Sequence, residues 1–294
     1  MSFITLDEIS SQPECWQRAG AFAADVAGLL PRAGERVAYV GAGTAWYMAE
    51  CMAALREAAG QGESDAFAAS EVPPGRAYDR LVVLTRSGRT TDVNRILAAV
   101  AGKIPTLCFV GEPDSESAEL ADAVIDLSFA DEVSVVQTRF ATTVLALTRA
   151  WLGDNIERLV EQAQQALQFR LSEEQVDTEQ ITFLGYRWTV GLAREAAAKF
   201  RQCTQSWAEA YPIREYRHGP IAVAEPGRIV WMLGPTPTRL AEQVRESGAT
   251  LIEMTHDPMA ELIVAQRLAV ARAMKLGLNP DQPRNLTRTV EQND

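Results

Sequence analysis

Histidine is scarce in this chain: His218 and His256 are the only two in 294 residues. Any imidazole acid–base chemistry must use one of them. Cys15, Cys51, Cys108 and Cys203 lie far apart and form no CxxC pair, so neither a zinc site nor a disulfide framework is suggested. Positive charge is in deficit, with 28 Lys+Arg against 39 Asp+Glu and a net charge of −11. Nucleic-acid binding rests largely on Lys/Arg neutralisation of phosphates, so no nucleic-acid partner is expected. A small anion remains compatible, because a local pocket can oppose the global field. No apolar run is long enough to span a bilayer and no signal peptide is evident, so no membrane partner and a reducing cytoplasm are expected.

What is present is a globular composition, 47% hydrophobic and 23% charged, enough for one large or two moderate domains. Buried-strand runs at 36–40, 81–84, 105–110 and 123–127 alternate with helical stretches, one of them at about 45–59. The cycle then restarts with runs at 181–185, 229–234 and 250–254 and a long helix at about 189–205. Strands apolar on both faces, alternating with helices, predict an α/β fold of two doubly wound lobes with mostly parallel sheets. The division reads as an N-terminal helical arm at 1–35, a first lobe at 36–168, a second at 169–278 and an extended, proline-rich strap at 279–294. A helical stretch at about 134–169 joins the lobes.

The most informative stretch is Leu81-Val-Val-Leu-Thr85-Arg86-Ser87-Gly88-Arg89-Thr90-Thr91-Asp92. An apolar strand runs into hydroxyls at the start of a helix, where unpaired N–H groups and the helix dipole favour an anion. No lysine follows the glycine as a nucleotide P-loop requires, so a phosphate on a small molecule fits better than ATP. The alternative is that Ser87 and Thr90 are ordinary helix caps. Gly41-Ala-Gly43 is not a full GxGxxG fingerprint, and no cofactor is expected.

Several segments in order resemble the sugar isomerase (SIS) family, above all the isomerase half of glucosamine-6-phosphate synthase and its stand-alone relatives, the phosphosugar deaminases and deglycases. The family's Gly-Thr-Ser loop appears as Gly43-Thr44-Ala45, and its Ser-x-Ser-Gly-x-Thr loop as Thr85-Arg86-Ser87-Gly88-Arg89-Thr90. Its Glu-x-Ser-Val-Ala-x-Thr-Lys segment appears as Glu132-Val-Ser134-Val135-Val-Gln137-Thr138-Arg139, and Phe-Leu-Gly-Arg-Gly as 183–187. Ala208-Glu-Ala-Tyr211, Glu215-Tyr-Arg-His218-Gly-Pro220 and Asp281-Gln-Pro-Arg-Asn-Leu286 complete the set, which runs from about residue 6 to 290. The resemblance implies a stand-alone double-SIS homodimer whose phosphorylated-sugar site lies between lobes and partly between subunits. It places Ser87 and Thr90 on the phosphate, with Thr44, Thr85, Arg86 and Gly88 around it, and Gly43, Ser134, Val135, Gln137 and Arg288 toward the sugar. It makes His218 the ring-opening residue.

Two departures bear on chemistry. The family's proton-shuttling glutamate, sixteen residues before that histidine, is Gln202 here, and its tail lysine is Arg288. An amide does not accept the C1/C2 proton at physiological pH, and an arginine does not readily form a Schiff base. Glu195, Lys199 and Gln202 are spaced i, i+4, i+7 on one helix face. Glu195 is then either a substitute base or the ion-pair partner of Lys199; Glu215, beside His218, is a further candidate base, whereas Glu209, after Trp207 in an apparently buried segment, reads as structural. Two readings follow: an isomerase, deaminase or deglycase acting on an amino- or amine-linked hexose 6-phosphate through a noncanonical base, or a sugar-phosphate binding or sensing protein that has lost the shuttle.

Overall fold

The computed structural model describes residues 3–292; residues 1–2 and 293–294, the outer ends of the expected arm and strap, lie outside the described residues. The arm forms two helices, α1 (Ile4–Ser10) and α2 (Gln12–Val26). Pro13 sits in the first turn of α2, where its missing N–H has no intrahelical partner to lose. Trp16 is buried, and its indole N–H donates to Thr142 Oγ1 at 3.0 Å.

The first sheet holds β1 (Val37–Gly41), β2 (Ser64–Ala68), β3 (Arg80–Thr85), β4 (Thr106–Val110) and β5 (Ala123–Asp126), with α3 (Thr44–Ala58), α4 (Thr91–Val100) and α5 (Glu116–Leu120) in its crossovers. Its spatial order is β2-β1-β3-β4-β5, with every pairing parallel. Helices α6 (Arg139–Trp151), α7 (Ile156–Gln168) and α8 (Glu173–Asp177) lead to the second sheet. That sheet holds β6 (Gln180–Gly185), β7 (Trp207–Pro212), β8 (Ile229–Leu233) and β9 (Thr250–Glu253), with α9 (Thr189–Thr204), α10 (Thr238–Glu246) and α11 (Pro258–Lys275). Its order, β7-β6-β8-β9, repeats the first, again all parallel. The expected α/β architecture of two parallel sheets is therefore present. Strands β2 and β7 were not expected from the sequence. Both are edge strands, and β7 carries Trp207 at 70% exposure, which corrects the reading of that segment as buried.

Because side chains alternate across a strand, each sheet has two apolar faces. Val37, Tyr39, Val82 and Leu84 face one core shared with Ile181, Phe183, Ile229 and Trp231 of the second sheet, and that core also contains residues of α2, α3, α6, α7, α9 and α11. The alternate residues, Ala38, Val40, Leu81 and Val83, face Val93 and Leu97 of α4. Leu184, Val230 and Met232 likewise meet Leu240 and Val244 of α10. Helices α3 and α9 touch within the shared core. A Cβ at Gly191 would collide with the Tyr47 carbonyl and Cys51 Sγ, so only glycine permits this approach. The crossing is what carries side chains of α9 to the first lobe's loops.

Candidate functional site: the crevice between β1 and β3

In a doubly wound sheet of order 2-1-3-4-5, ligands bind beyond the carboxyl ends of the strands, where the winding reverses. Here that point lies between β1 and β3. A cavity of about 170 Å³ sits there. Its walls are the loop from Ala42 to Ala45, the loop Thr85–Ser87 with Thr90, Val135 and Gln137, Lys199 and Gln202 from α9, and the strap from Leu286 to Val290. A wider groove of about 520 Å³ runs along α4, where Asp114, Glu116, Glu119 and Glu291 outnumber Arg89 and Arg95 and suit a phosphate less well.

The phosphate-loop geometry is set locally. Thr85 Oγ1 accepts from the Gly88 N–H at 3.1 Å, which folds the loop back over the strand end. Gly88 has φ +63°, and a Cβ there would fall inside the Ser115 side chain. Ser87 Oγ accepts only a long bond from the Arg89 N–H, 3.3 Å. Thr90 occupies the N-cap position of α4 with extended φ and ψ, yet its side chain makes no capping hydrogen bond. The capping alternative therefore leaves the Thr90 hydroxyl unexplained; the Thr91 N–H donates to the Val290 carbonyl of the strap at 3.4 Å, so the first turn of α4 offers an anion its remaining N–H groups.

Across the cavity stands a buried ion pair. Lys199 Nζ lies 3.1 Å from Glu195 Oε1, and both side chains are 1% exposed. The same ammonium donates to Thr44 Oγ1 at 2.7 Å and to Gln202 Oε1 at 3.0 Å. Thr44 begins α3 in the first lobe and Lys199 belongs to α9, so this bond joins the two lobes at the cavity wall. Glu195 sits behind Lys199, outside the cavity lining. Gln137 adds a lining amide whose Oε1 has no hydrogen-bond partner.

No protein-family model matches the chain. The glutamine–fructose-6-phosphate aminotransferase (isomerizing) of Methanothermobacter thermautotrophicus is 25% identical over an alignment covering 97% of this chain and 57% of that protein. The protein of the same name from Gloeobacter violaceus is 26% identical, over 87% of this chain and 52% of its own length. The chain thus spans about half the length of these curated relatives. Among solved structures, the glucosamine-6-phosphate deaminase of Thermotoga maritima superposes with a TM-score of 0.80 at 23% identity, covering 98% of this chain and 99% of that one. The C-terminal domain of glucosamine-fructose-6-phosphate aminotransferase from Francisella tularensis gives 0.83 at 19% identity, over 96% and 99%. The chain shares the fold of these solved structures, and its sequence is similar to the isomerizing aminotransferases over about half of their length.

Of the residues singled out in the sequence, Gly43, Thr44, Thr85, Arg86, Ser87, Thr90, Val135, Gln137, Lys199, Gln202 and Arg288 share the one cavity wall. Several have other duties there. The Arg86 guanidinium is buried and donates to the carbonyl oxygens of Ser134 and Arg288, at 2.9 and 2.5 Å, so at the cavity wall it ties loops together. Arg288 is held by Glu112, Asp131 and the Glu132 carbonyl, its charge already countered. Ser134 is turned to Glu8 and away from the cavity. Gly88 shapes the loop without lining it. His218 and Glu215 are exposed on a 3-10 turn after β7 and do not reach this cavity within one chain.

Two functional features escaped the sequence reading. Glu132 is the cap of α6: its carboxylate accepts from the Arg139 and Phe140 N–H groups at 2.8 and 3.2 Å and from the Thr138 hydroxyl at 2.8 Å. Burial, followed by the charge of Glu8, pushes the Glu132 carboxyl above the usual range. This fixes the segment that presents Val135 and Gln137. The second feature is the place of the expected strap, whose residues from Leu286 to Val290 line the cavity.

Proposed function

We propose that this protein binds a hexose 6-phosphate in the β1/β3 crevice, with the phosphate on Ser87, Thr90 and the first turn of α4. The observation that carries the reading is the uncapped N-terminus of α4, whose hydroxyls face a cavity lined by the strap. The names of the relatives, which refer to fructose 6-phosphate and glucosamine 6-phosphate, support the ligand class.

Isomerase, deaminase and deglycase chemistry all need a base between C1 and C2. Among the described residues, the cavity lining contains no carboxylate and no imidazole. The primary role is therefore binding or sensing, with little turnover. A second reading, an isomerase- or deaminase-type homodimer, is favoured by the exposed His218, which a second copy can insert into a neighbouring cavity.

Solvent-deuterium incorporation at C2 of glucosamine 6-phosphate or C1 of fructose 6-phosphate, followed by NMR, separates the two. The native chain should show none. Gln202→Glu should start exchange, since a positioned base contributes roughly 10²–10⁴-fold, and His218→Ala should then remove it. Brisk exchange by the native chain that survives Gln202→Ala, together with a light-scattering mass twice 32.2 kDa, would establish the enzymatic dimer instead.

A further inference from the structure

Position 202 does more than lack a base. A glutamine amide offers an acceptor oxygen at one end and two N–H donors at the other. Which end faces the cavity is ordinarily open, because the two are nearly equivalent in shape. Here the neighbour decides. Lys199 carries only donors, and it lies 3.0 Å from the Gln202 side chain, so the amide must present oxygen to it. Lys199 cannot turn away without abandoning Glu195 at 3.1 Å and Thr44 at 2.7 Å inside a buried site. The amide nitrogen is left as the group that Gln202 turns toward the cavity. A glutamate at the same place presents an acceptor.

We propose that the Lys199-locked amide of Gln202 makes this wall of the cavity a hydrogen-bond donor, so that the site selects a sugar phosphate whose C1–C2 end offers acceptor oxygens and no ammonium, a ketose or an aldonate 6-phosphate, over a 2-amino sugar phosphate. The inference rests on the phosphate site proposed above: with the phosphate on the α4 side, the far polar end of the ligand meets α9. An ammonium against the amide N–H groups pairs donor with donor and loses its water without compensation. A carbonyl or carboxylate oxygen accepts from them. Gln137, the other lining amide, has an Oε1 without a partner and accommodates either ligand.

Calorimetry tests the inference with D-fructose 6-phosphate, 6-phosphogluconate and D-glucosamine 6-phosphate at pH 6, where an amine of pKa about 8 is protonated. The native chain should bind the first two at least about tenfold more tightly than the third, the scale at which a site rejects a mispaired polar group. Gln202→Glu should reverse the order, gaining glucosamine 6-phosphate and losing 6-phosphogluconate most. Equal affinities in the native chain, or an order that Gln202→Glu does not change, would overturn the inference while leaving the phosphate site standing. Binding of none of the three would overturn both.

Discussion

The first crevice of the molecule, between β1 and β3, ends in Thr85-Arg86-Ser87-Gly88-Arg89-Thr90; the second, between β6 and β8, ends in Gly234-Pro235-Thr236-Pro237-Thr238. The strand order around them is the same. At the first, the Thr90 side chain caps nothing, and although the Gly88, Arg89 and Thr91 N–H groups bond to Thr85, Ser87 and the Val290 carbonyl, every residue of the loop carries an N–H. At the second, Pro235 and Pro237 have no N–H to offer, and Pro237 is itself the N-cap residue of α10. Thr189 also closes that crevice: its hydroxyl donates to the Leu233 carbonyl at 2.6 Å and accepts from the Tyr186 N–H at 2.7 Å, stitching the two strand ends together. A shared topology thus supplies two crevices, and the donors present at the strand ends decide which one suits an anion. The second lobe contributes differently. It lends α9, whose Lys199 and Gln202 complete the first lobe's cavity.

The comparison breaks most severely where the lobes are pinned together. Lys199→Met leaves the Glu195 carboxylate buried without its counter-charge, which should destabilise the protein by about 3–5 kcal/mol. Adding Glu195→Gln to Lys199→Met should recover much of that loss. Urea unfolding measures both; a single substitution costing less than about 1 kcal/mol would mean that the Glu195 carboxylate does not depend on its buried counter-charge.

This dependence on long-range pairing also explains what could be read in advance. The strands β1, β3, β4, β6 and β8 were legible because their sequences are uninterrupted apolar runs buried on both faces. Strand β2, Ser64-Asp-Ala-Phe-Ala68, is half-buried throughout, and β7 alternates a single buried Ala208 with exposed or half-buried residues. Edge strands pair on one side only and need no apolar run, so nothing in either sequence announces them. The hydroxyls of the phosphate loop were legible as chemistry at a helix start. That Arg86 and Arg288 turn to carbonyls and carboxylates was not, since their partners Ser134, Glu112 and Asp131 are brought near only by the fold. The Glu132 cap was hidden for the same reason. Its motif resembled a site segment, whereas the carboxylate serves the helix that begins seven residues later at Arg139.

A smaller effect sharpens the contrast between the crevices. Ser87→Ala combined with Thr90→Ala removes two hydroxyl bonds to a dianion, each worth about 1.5–3 kcal/mol when charge-assisted, and should weaken fructose 6-phosphate binding at least about tenfold. The matched pair in the second lobe, Thr236→Ala with Thr238→Ala, should change it less than about twofold, the scale of surface substitutions away from a site. Calorimetry on both doubles gives the ratio directly. Loss in the second-lobe double but not the first would move the site to the other crevice.

The most direct measurement is a crystal structure of the native chain soaked with fructose 6-phosphate. The phosphate should lie within hydrogen-bond distance of the Ser87 and Thr90 hydroxyls and the first-turn N–H groups of α4, with the far end of the sugar against the Gln202 amide. A phosphate bound at the β6/β8 crevice, or in the groove along α4, with the β1/β3 cavity holding only solvent, would contradict the account.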